Sequence, residues 1–367
     1  MKIAILSMQR VENYGSVLQA WSLREMVREA TGATPQFIDI EQASVLESMA
    51  ENAETREYGG SQQLSRSILQ RGKRWCFTRL SRWNRKGIRR FMRRELRLDD
   101  AVSDCFDHAV IGSDEVFNHV RGISLQLHGE VRQADKVITY AACCGSAKTE
   151  DIRQEDLPRV REAMQHISAL SVRDESTARY AAELYDGEIN HHLDPVLVGS
   201  LHARKTKQVP LKGYMLVYAY GYRIRSQEEI DAIKAYAKQN GLKTVAMGGS
   251  QFWCDLFVPA SPMRLLDWFA HADCVVTDTF HGAVFSVITR RTFAAIVRPS
   301  NRGKLADLLE RLGLSGRSVA DVAQLGNILD TPVDYDATEK ILACERQRAR
   351  DYLKEQLNDG EKAHSSV

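Results

Sequence analysis

The sequence predicts an α/β protein of two domains, each with a parallel β-sheet covered by helices on both faces. Short apolar runs such as 3–6 and 274–277 alternate with helical patterns along most of the chain, which is typical of strands buried on both sides. The length of 367 residues exceeds the roughly 250–300 residues that one core supports. A polar segment at 202–212, which contains Pro210, separates two such series and is the candidate linker.

The first series predicts an N-terminal domain over residues 1–200. A strand at 2–8 leads through a polar turn into a helix, and further strands are expected at 108–111, 137–142 and 167–172. Each strand ends in a polar or glycine-containing loop. Because the carboxyl ends of parallel strands meet at one sheet edge, these loops are expected to gather there.

The second series predicts a C-terminal domain over residues 213–330. Its expected elements are strands at 214–220, 244–247 and 274–277 and helices at 227–240, 262–270 and 283–288. Residues 337–367 are expected to form a charged C-terminal helix followed by a tail.

Composition excludes several classes of protein. No apolar run approaches the roughly 18 residues of a membrane span, and the apolar start at 3–6 is too short for a signal peptide. The seven cysteines are odd in number and show no C-x-x-C spacing, so neither a disulfide framework nor a structural zinc site is expected. We therefore expect a cytoplasmic protein with reduced thiols.

One segment is strongly basic. Residues 66–98 contain thirteen Lys or Arg against the single acid Glu95, a charge of +12 that leaves −10 for the rest of the chain. Apolar residues recur there at helical spacing, which predicts a basic helical insertion at about 62–98 in the first domain. Its outer face is either simply solvated or attracted to an anionic membrane surface at the inner face of the membrane. No nucleic-acid partner is expected, because no recognition motif accompanies the basic residues.

Four motifs follow predicted strands in a characteristic order. They are 13–20 (NYGSVLQA), 111–118 (IGSDEVFN), 171–176 (SVRDES) and 277–282 (TDTFHG). With these motifs the sequence resembles the polysaccharide pyruvyl transferase family over roughly residues 1–315. The resemblance implies two Rossmann-like domains in a glycosyltransferase-B-like arrangement, with the active site in the cleft between them.

The resemblance also implies a reaction. Known members of the family transfer pyruvate from phosphoenolpyruvate to a sugar as a ketal and release phosphate. The implied partners are phosphoenolpyruvate as donor substrate and, as acceptor, a glycan or lipid-linked oligosaccharide of a cell-surface polysaccharide. No obligate cofactor or metal is expected, since no metal-binding or Walker motif is present.

Arg173 is the expected clamp for the donor anion. It follows a predicted strand, and its planar guanidinium can hold a phosphate or a carboxylate. The alternative is a structural ion pair with Asp174 or Glu175. If Arg173 contacts only the donor, Arg173→Ala is expected to abolish donor binding with little loss of stability.

His281 is the expected acid, base or phosphate ligand, because imidazole titrates in the useful range. The alternative is a structural histidine. The N–H groups of Gly282 and Ala283 at the following helix start are expected to bind a phosphate oxygen. Thr279 stands where better characterised family members carry an arginine, so either Arg298, Arg302 or Lys304 replaces that cation or the donor differs.

Two loops are expected on the substrate side, with capping of the following segment as the alternative for each. Asp114 is a catalytic candidate that orients a sugar hydroxyl or accepts its proton. The other predicted loop residues are Asn13, Tyr14, Gly15, Ser16, Gly112 and Ser113.

Two further functions fit the same architecture. One is a glycosyltransferase that uses a nucleotide sugar, although no Asp or Glu is placed convincingly to take the ribose. The other is a non-catalytic protein that binds a glycan or phosphate, which the missing arginine favours.

Overall fold

A computed structural model describes residues 1–41, 45–48, 68–119, 122–221 and 223–358, and for 68–71 the backbone alone. The start of the predicted basic insertion at 62–67 and the predicted tail from 359 lie outside the described residues.

The strands of the described residues belong mainly to two parallel sheets. In chain order they are β1 (Ile3–Leu6), β2 (Gln36–Phe37), β3 (Val45–Leu46), β4 (Phe106–Asp114), β5 (Ile123–Ser124), β6 (Ala134–Ala142), β7 (Ile167–Val172), β8 (Ile189–His191), β9 (Tyr214–Ala219), β10 (Lys243–Gly248), β11 (Leu256–Phe257), β12 (Cys274–Thr277), β13 (Phe293–Ile296) and β14 (Ser318–Val319).

The α-helices lie between and after these strands. In the described residues they are α1 (Tyr14–Thr31), α2 (Ile68–Phe91), α3 (Leu157–Gln165), α4 (Glu175–Ala182), α5 (Pro195–Val198), α6 (Gln227–Gln239), α7 (Pro262–His271), α8 (Phe280–Ile288), α9 (Arg302–Arg311), α10 (Leu325–Asp330) and α11 (Tyr335–Leu357).

Each of the two sheets has six strands. The first has the order β2-β1-β4-β6-β7-β8, and the second has the order β11-β10-β9-β12-β13-β14. The second is the strand order of a Rossmann fold, and the first is the related flavodoxin-like order extended by a strand. A small antiparallel pair, β3 with β5, lies apart from both.

Each sheet has a switch point at which the strand order reverses direction. In the first sheet it lies between β1 and β4, where Leu6 pairs with Ile111. In the second it lies between β9 and β12, where Thr277 pairs with Tyr218. Crevices outside the carboxyl ends of strands at such points are where open α/β sheets bind ligands.

Local sequence explains how the first helix is placed. Asn13 caps α1 by accepting a hydrogen bond from the backbone N–H of Ser16 at 2.7 Å. Gly32 ends the helix in the left-handed conformation (φ 74°), which costs glycine little. The helix is therefore fixed at both ends, and its N-terminus lies just after β1.

The two sheets share one hydrophobic cluster, which runs from β1 and α1 through α5 to β9 and β12. The chain also returns to the first domain at its end. Helix α11 follows the second sheet and packs on α1 and α5. The hydroxyl of Tyr352 on this helix donates to the carbonyl oxygens of Thr139 and Ala169 at 2.9 and 3.0 Å.

This architecture confirms the predicted class: two Rossmann-like domains in a glycosyltransferase-B-like arrangement with a cleft between them. In the described part of the chain, no helix is both long and apolar enough to cross a membrane.

Candidate active site in the interdomain cleft

A cavity of about 510 Å³ lies between the carboxyl edges of the two sheets. It therefore joins the switch point of one domain to that of the other. From the first domain it is lined by Met8, Val11, Asn13, Gly15, Ser16, Asp114, Glu115, Asn118, Ser146 and Arg173. From the second domain it is lined by Tyr218, Tyr220, Arg223, Thr279, Phe280, His281, Ser300, Asn301 and Lys304.

His281 lines this cavity from the first turn of α8, with 13% of its side chain exposed. Its Nε2 lies 3.5 Å from Oδ2 of Asp194, a fully buried carboxylate of the first domain. A Cβ atom at Gly15 would lie 2.3 Å from Nδ1 of the ring, so this close approach requires glycine. The imidazole is thus held between two loops of the opposite domain.

Asp194 is a buried carboxylate beside that imidazole. Burial raises the pKa of its carboxyl, but the neighbouring His281 and Arg173 lower it further, so that the pKa lies below its usual value. An ionised, buried carboxylate at this distance helps to orient the imidazole ring. Sequence reasoning did not select Asp194 as a site residue.

Arg173 lies at the end of β7 and lines the same cavity, but it is almost fully buried. Its NH1 donates to Oδ2 of Asp194 at 3.1 Å, and its guanidinium carbon lies 4.2 Å from the ring centre of Phe280. The alternative partner Asp174 instead caps α4 by accepting from the backbone N–H of Thr177 at 2.9 Å.

The structure contradicts the expectation that Arg173→Ala leaves stability nearly unchanged. Removing one member of a buried ion pair leaves the other charge buried without its partner. Arg173 is thus part of the structural support of the site as well as a cation facing the cavity.

The loop at 13–16 divides into lining and supporting residues. Ser16 donates through Oγ to Oδ2 of Asp114 at 2.6 Å, which links two predicted site residues. Tyr14 points away from the cavity, because its ring is buried and its hydroxyl bonds Asn84 and the carbonyl oxygen of Ala260. This hydroxyl joins the two domains, so Tyr14 is placed for support and not for substrate contact.

Residues 112–114 form the end of β4 and not the expected loop, and of these three Asp114 alone lines the cavity. Ser113 is fully buried, and its carbonyl oxygen accepts a hydrogen bond from Ser7 Oγ at 3.2 Å. A Cβ atom at Gly112 would lie 2.3 Å from the carbonyl oxygen of Tyr140, so this glycine allows close packing of β4 on β6.

The helix start at Thr279 is already capped, which corrects one expectation. Thr279 Oγ1 accepts from the backbone N–H of Gly282 at 2.9 Å, and the Thr279 carbonyl accepts from the N–H of Ala283 at 3.4 Å. These two N–H groups are therefore engaged and do not offer a phosphate site. Gly282 faces Thr277, whose Oγ1 would lie 1.9 Å from an added Cβ, so it does not face a ligand.

Of the cations considered for the missing arginine, Lys304 lines the cavity. It pairs with Glu115 of the first domain, and this ammonium holds the pKa of the Glu115 carboxyl down to about 2. Arg298 instead pairs with Glu229 at 2.5 Å and with Asp278 at 3.2 Å. Arg302 is exposed on α9.

Arg223 is a cation of the cavity that sequence reasoning missed. It is buried in the loop after β9, and its NH1 donates to the carbonyl oxygen of Asp278 at 2.9 Å. This contact places the guanidinium beside Thr279, where the family arginine is absent. The sequence signal that could have identified Arg223 is a basic residue just after the first strand of the second domain.

Asp278 is a buried acid beside this cation. Burial raises the pKa of its carboxyl to about 6, although Arg223 and Arg298 act in the opposite direction. Its Oδ1 has no hydrogen-bond partner in the described residues. Near pH 6 this carboxyl is therefore partly protonated, one residue before Thr279 of the cavity lining.

The fold and the cavity define a two-domain α/β protein with a cleft at facing switch points, lined by charged residues of both domains. The family model described as "Polysaccharide pyruvyl transferase" matches residues 13–300, which contain all four motifs. The chain belongs to the polysaccharide pyruvyl transferase family, as the motifs predicted. No curated protein matches the chain significantly.

Solved structures with a similar backbone trace share little sequence identity with this chain. One is a mutant O-GlcNAc transferase of Thermobaculum terrenum, with 11% identity, a TM-score of 0.47, and coverage of 99% of this chain and 67% of the other. Another is the UDP-GlcNAc 2-epimerase of Methanocaldococcus jannaschii in complex with UDP-GlcNAc and UDP, with 12% identity, a TM-score of 0.47, and coverage of 94% and 99%. The family assignment rests on the sequence match.

Proposed function

We propose that the protein transfers pyruvate from phosphoenolpyruvate to a sugar of a cell-surface polysaccharide, or of its lipid-linked precursor, as a ketal. Family membership supports a transferase of this type. The proposal makes phosphoenolpyruvate the donor substrate and requires no obligate cofactor. Two features of the cleft support the finer assignment of donor and roles.

The observation that carries the proposal is the convergence of three cations on one cavity that also contains His281. Arg173, Arg223 and Lys304 line it from both domains. Phosphoenolpyruvate carries a phosphate and a carboxylate, and arginine holds such planar or tetrahedral anions through paired hydrogen bonds. In this proposal Arg223 supplies the cation that Thr279 lacks, since its guanidinium lies next to the backbone of residue 278.

The reaction adds two sugar hydroxyls to one carbon atom. The first hydroxyl oxygen bonds to C2 of the enolpyruvyl group while the methylene carbon gains a proton and becomes a methyl group. The second hydroxyl oxygen then bonds to C2 as the bond from C2 to the phosphate oxygen breaks. Of the two hydroxyl protons, one accounts for the proton that the methylene carbon gains, and the other leaves with the phosphate.

Residues of both domains have separate roles in the proposed reaction. His281, held by Asp194, carries a proton between a sugar hydroxyl and the donor. Asp114, which Ser16 holds by a hydrogen bond, orients an acceptor hydroxyl on the first-domain side. The His281–Asp194 and Lys304–Glu115 contacts both cross the cleft, so the complete site requires the two domains to be together.

The test is turnover of isotope-labelled phosphoenolpyruvate with glycans and lipid-linked oligosaccharides extracted from the source cells. We expect phosphate release and a labelled ketal in the glycan, both reduced about 10²–10⁴-fold in His281→Ala. The control Arg132→Ala removes an exposed cation and should keep full activity. Release of nucleotide from a nucleotide sugar would favour a glycosyltransferase, and ligand binding without any turnover would favour a non-catalytic protein.

A further inference from the structure

The basic helix α2 presents two opposite faces. Phe77, Asn84, Ile88 and Phe91 are buried. At about 100° per residue, the exposed residues Trp75, Arg79, Arg82, Trp83, Lys86 and Arg90 fall within about 100° of one another on the other side of the helix. We call these six residues the basic face.

The buried side of α2 already makes the contacts that the fold needs. Phe77 packs against Phe252 and Phe257 of the second domain, with ring centres 6.0 and 5.7 Å apart. Asn84 Oδ1 accepts from the backbone N–H of Ala260 at 3.1 Å. Farther along, Ile88 joins the hydrophobic cluster that the two sheets share. Helix α2 therefore links the two domains through its buried side, and the basic face takes no part in these contacts.

The basic face places four cations next to exposed aromatic rings. Neighbouring Arg89 pairs with Glu12, whereas the four cations of the face have no ion-pair partner in the described residues. Trp75 and Trp83 are 61% and 69% exposed, which is high for the largest side chain. Tryptophan between basic residues is the composition of helices that lie in the headgroup region of a bilayer.

Helix α2 also runs beside the cavity. The Arg89–Glu12 pair is adjacent to Val11, which lines the cavity. Nearer the start of the helix, Ser81 bonds Ser250, and the next residue, Gln251, donates to the carbonyl oxygen of Tyr220 at 2.7 Å. Since Tyr220 also lines the cavity, α2 is tied to lining loops of both domains.

We propose that the basic face docks the protein on an anionic phospholipid surface, with Trp75 and Trp83 entering the headgroup region. The cations attract the lipid phosphates, and the rings replace water contacts by contacts with the acyl boundary. Docking would bring the cleft next to the bilayer. The surface is independent of the reaction catalysed in the cleft.

The test is co-sedimentation of the full chain with phosphatidylcholine vesicles, with and without phosphatidylglycerol. We expect binding to require phosphatidylglycerol and to weaken with salt, because the Debye length falls from about 10 Å at 0.1 M to about 3 Å at 1 M. Arg82→Glu with Lys86→Glu should weaken binding at least tenfold, and Trp75→Ser with Trp83→Ser should do the same.

The matched control is Arg350→Glu with Lys354→Glu, the same change of charge on exposed positions of α11. It should bind vesicles like the wild type, and all variants should melt like the wild type. Equal loss in the control, or binding that ignores lipid charge, would overturn the proposal. So would binding of duplex DNA that depends on Arg82 and Lys86 while vesicles are not bound.

Discussion

The buried pair of Arg173 and Asp194 gives a sharp prediction about stability. Their side chains are 3% and 0% exposed, and NH1 lies 3.1 Å from Oδ2. Removing one partner of such a pair costs about 3–5 kcal/mol, because the remaining charge stays buried. For a domain of this size, each kcal/mol lowers Tm by about 2–4 °C. Arg173→Ala should therefore lower Tm by about 6–20 °C.

The assay is thermal unfolding followed by circular dichroism, with a double-mutant cycle. In Arg173→Ala with Asp194→Ala both charges are gone, so the combined loss should be smaller than the sum of the single losses by about 0.5–3 kcal/mol. The control Arg132→Ala breaks an exposed pair with Glu130 and should cost no more than about 1 kcal/mol. A loss for Arg173→Ala as small as that of the control, or strictly additive losses, would refute the reasoning.

Three further predictions concern single side chains. Gly15→Ala should displace the His281 ring and lower turnover about 10²-fold, whereas Gly316→Ala, which meets open space, should not; equal activities would contradict the contact. Burial lowers the pKa of His128 to about 3, so between about pH 6.5 and pH 3 the imidazole binds a proton in the unfolded state but not in the folded state. The free energy of unfolding should therefore fall by about 1.4 kcal/mol for each pH unit below 6.5. Urea unfolding of His128→Gln should show a shallower dependence of stability on pH. Tyr14→Phe should cost about 1–3 kcal/mol in urea unfolding, since buried partners lose their bond, and an unchanged midpoint would contradict this.

The strands were predictable because a strand buried on both faces of a sheet requires a continuous run of apolar residues. The strand expected at 274–277 is β12, and the helix expected at 262–270 is α7 with one more residue. Sequence could not show the order of strands in each sheet. That order depends on which apolar surfaces pack together, and it is what places the two switch points opposite each other.

The site was predictable where a motif residue follows a strand. Arg173, Asp114 and His281 line one cavity because each stands at the carboxyl edge of a sheet. Their partners were not predictable. Asp194 supports His281 from the other domain, and Arg223 lies in a loop without a motif, so both depend on contacts between distant parts of the chain.

A motif also does not separate lining residues from supporting ones. Tyr14 and Ser113 stand beside Ser16 and Asp114 in sequence, yet both are buried behind the cavity surface. Gly282 follows His281 directly but packs on Thr277. Neighbours in a tight loop point in opposite directions, which a single sequence does not reveal.

Calorimetric titration with phosphoenolpyruvate tests the central claim most directly. The account predicts saturable binding at one site per chain. It also predicts an affinity at least tenfold lower in Arg223→Ala, a loss of about 1.4 kcal/mol, while Arg132→Ala binds like the wild type. Saturable binding of a nucleotide sugar with no binding of phosphoenolpyruvate would contradict the account.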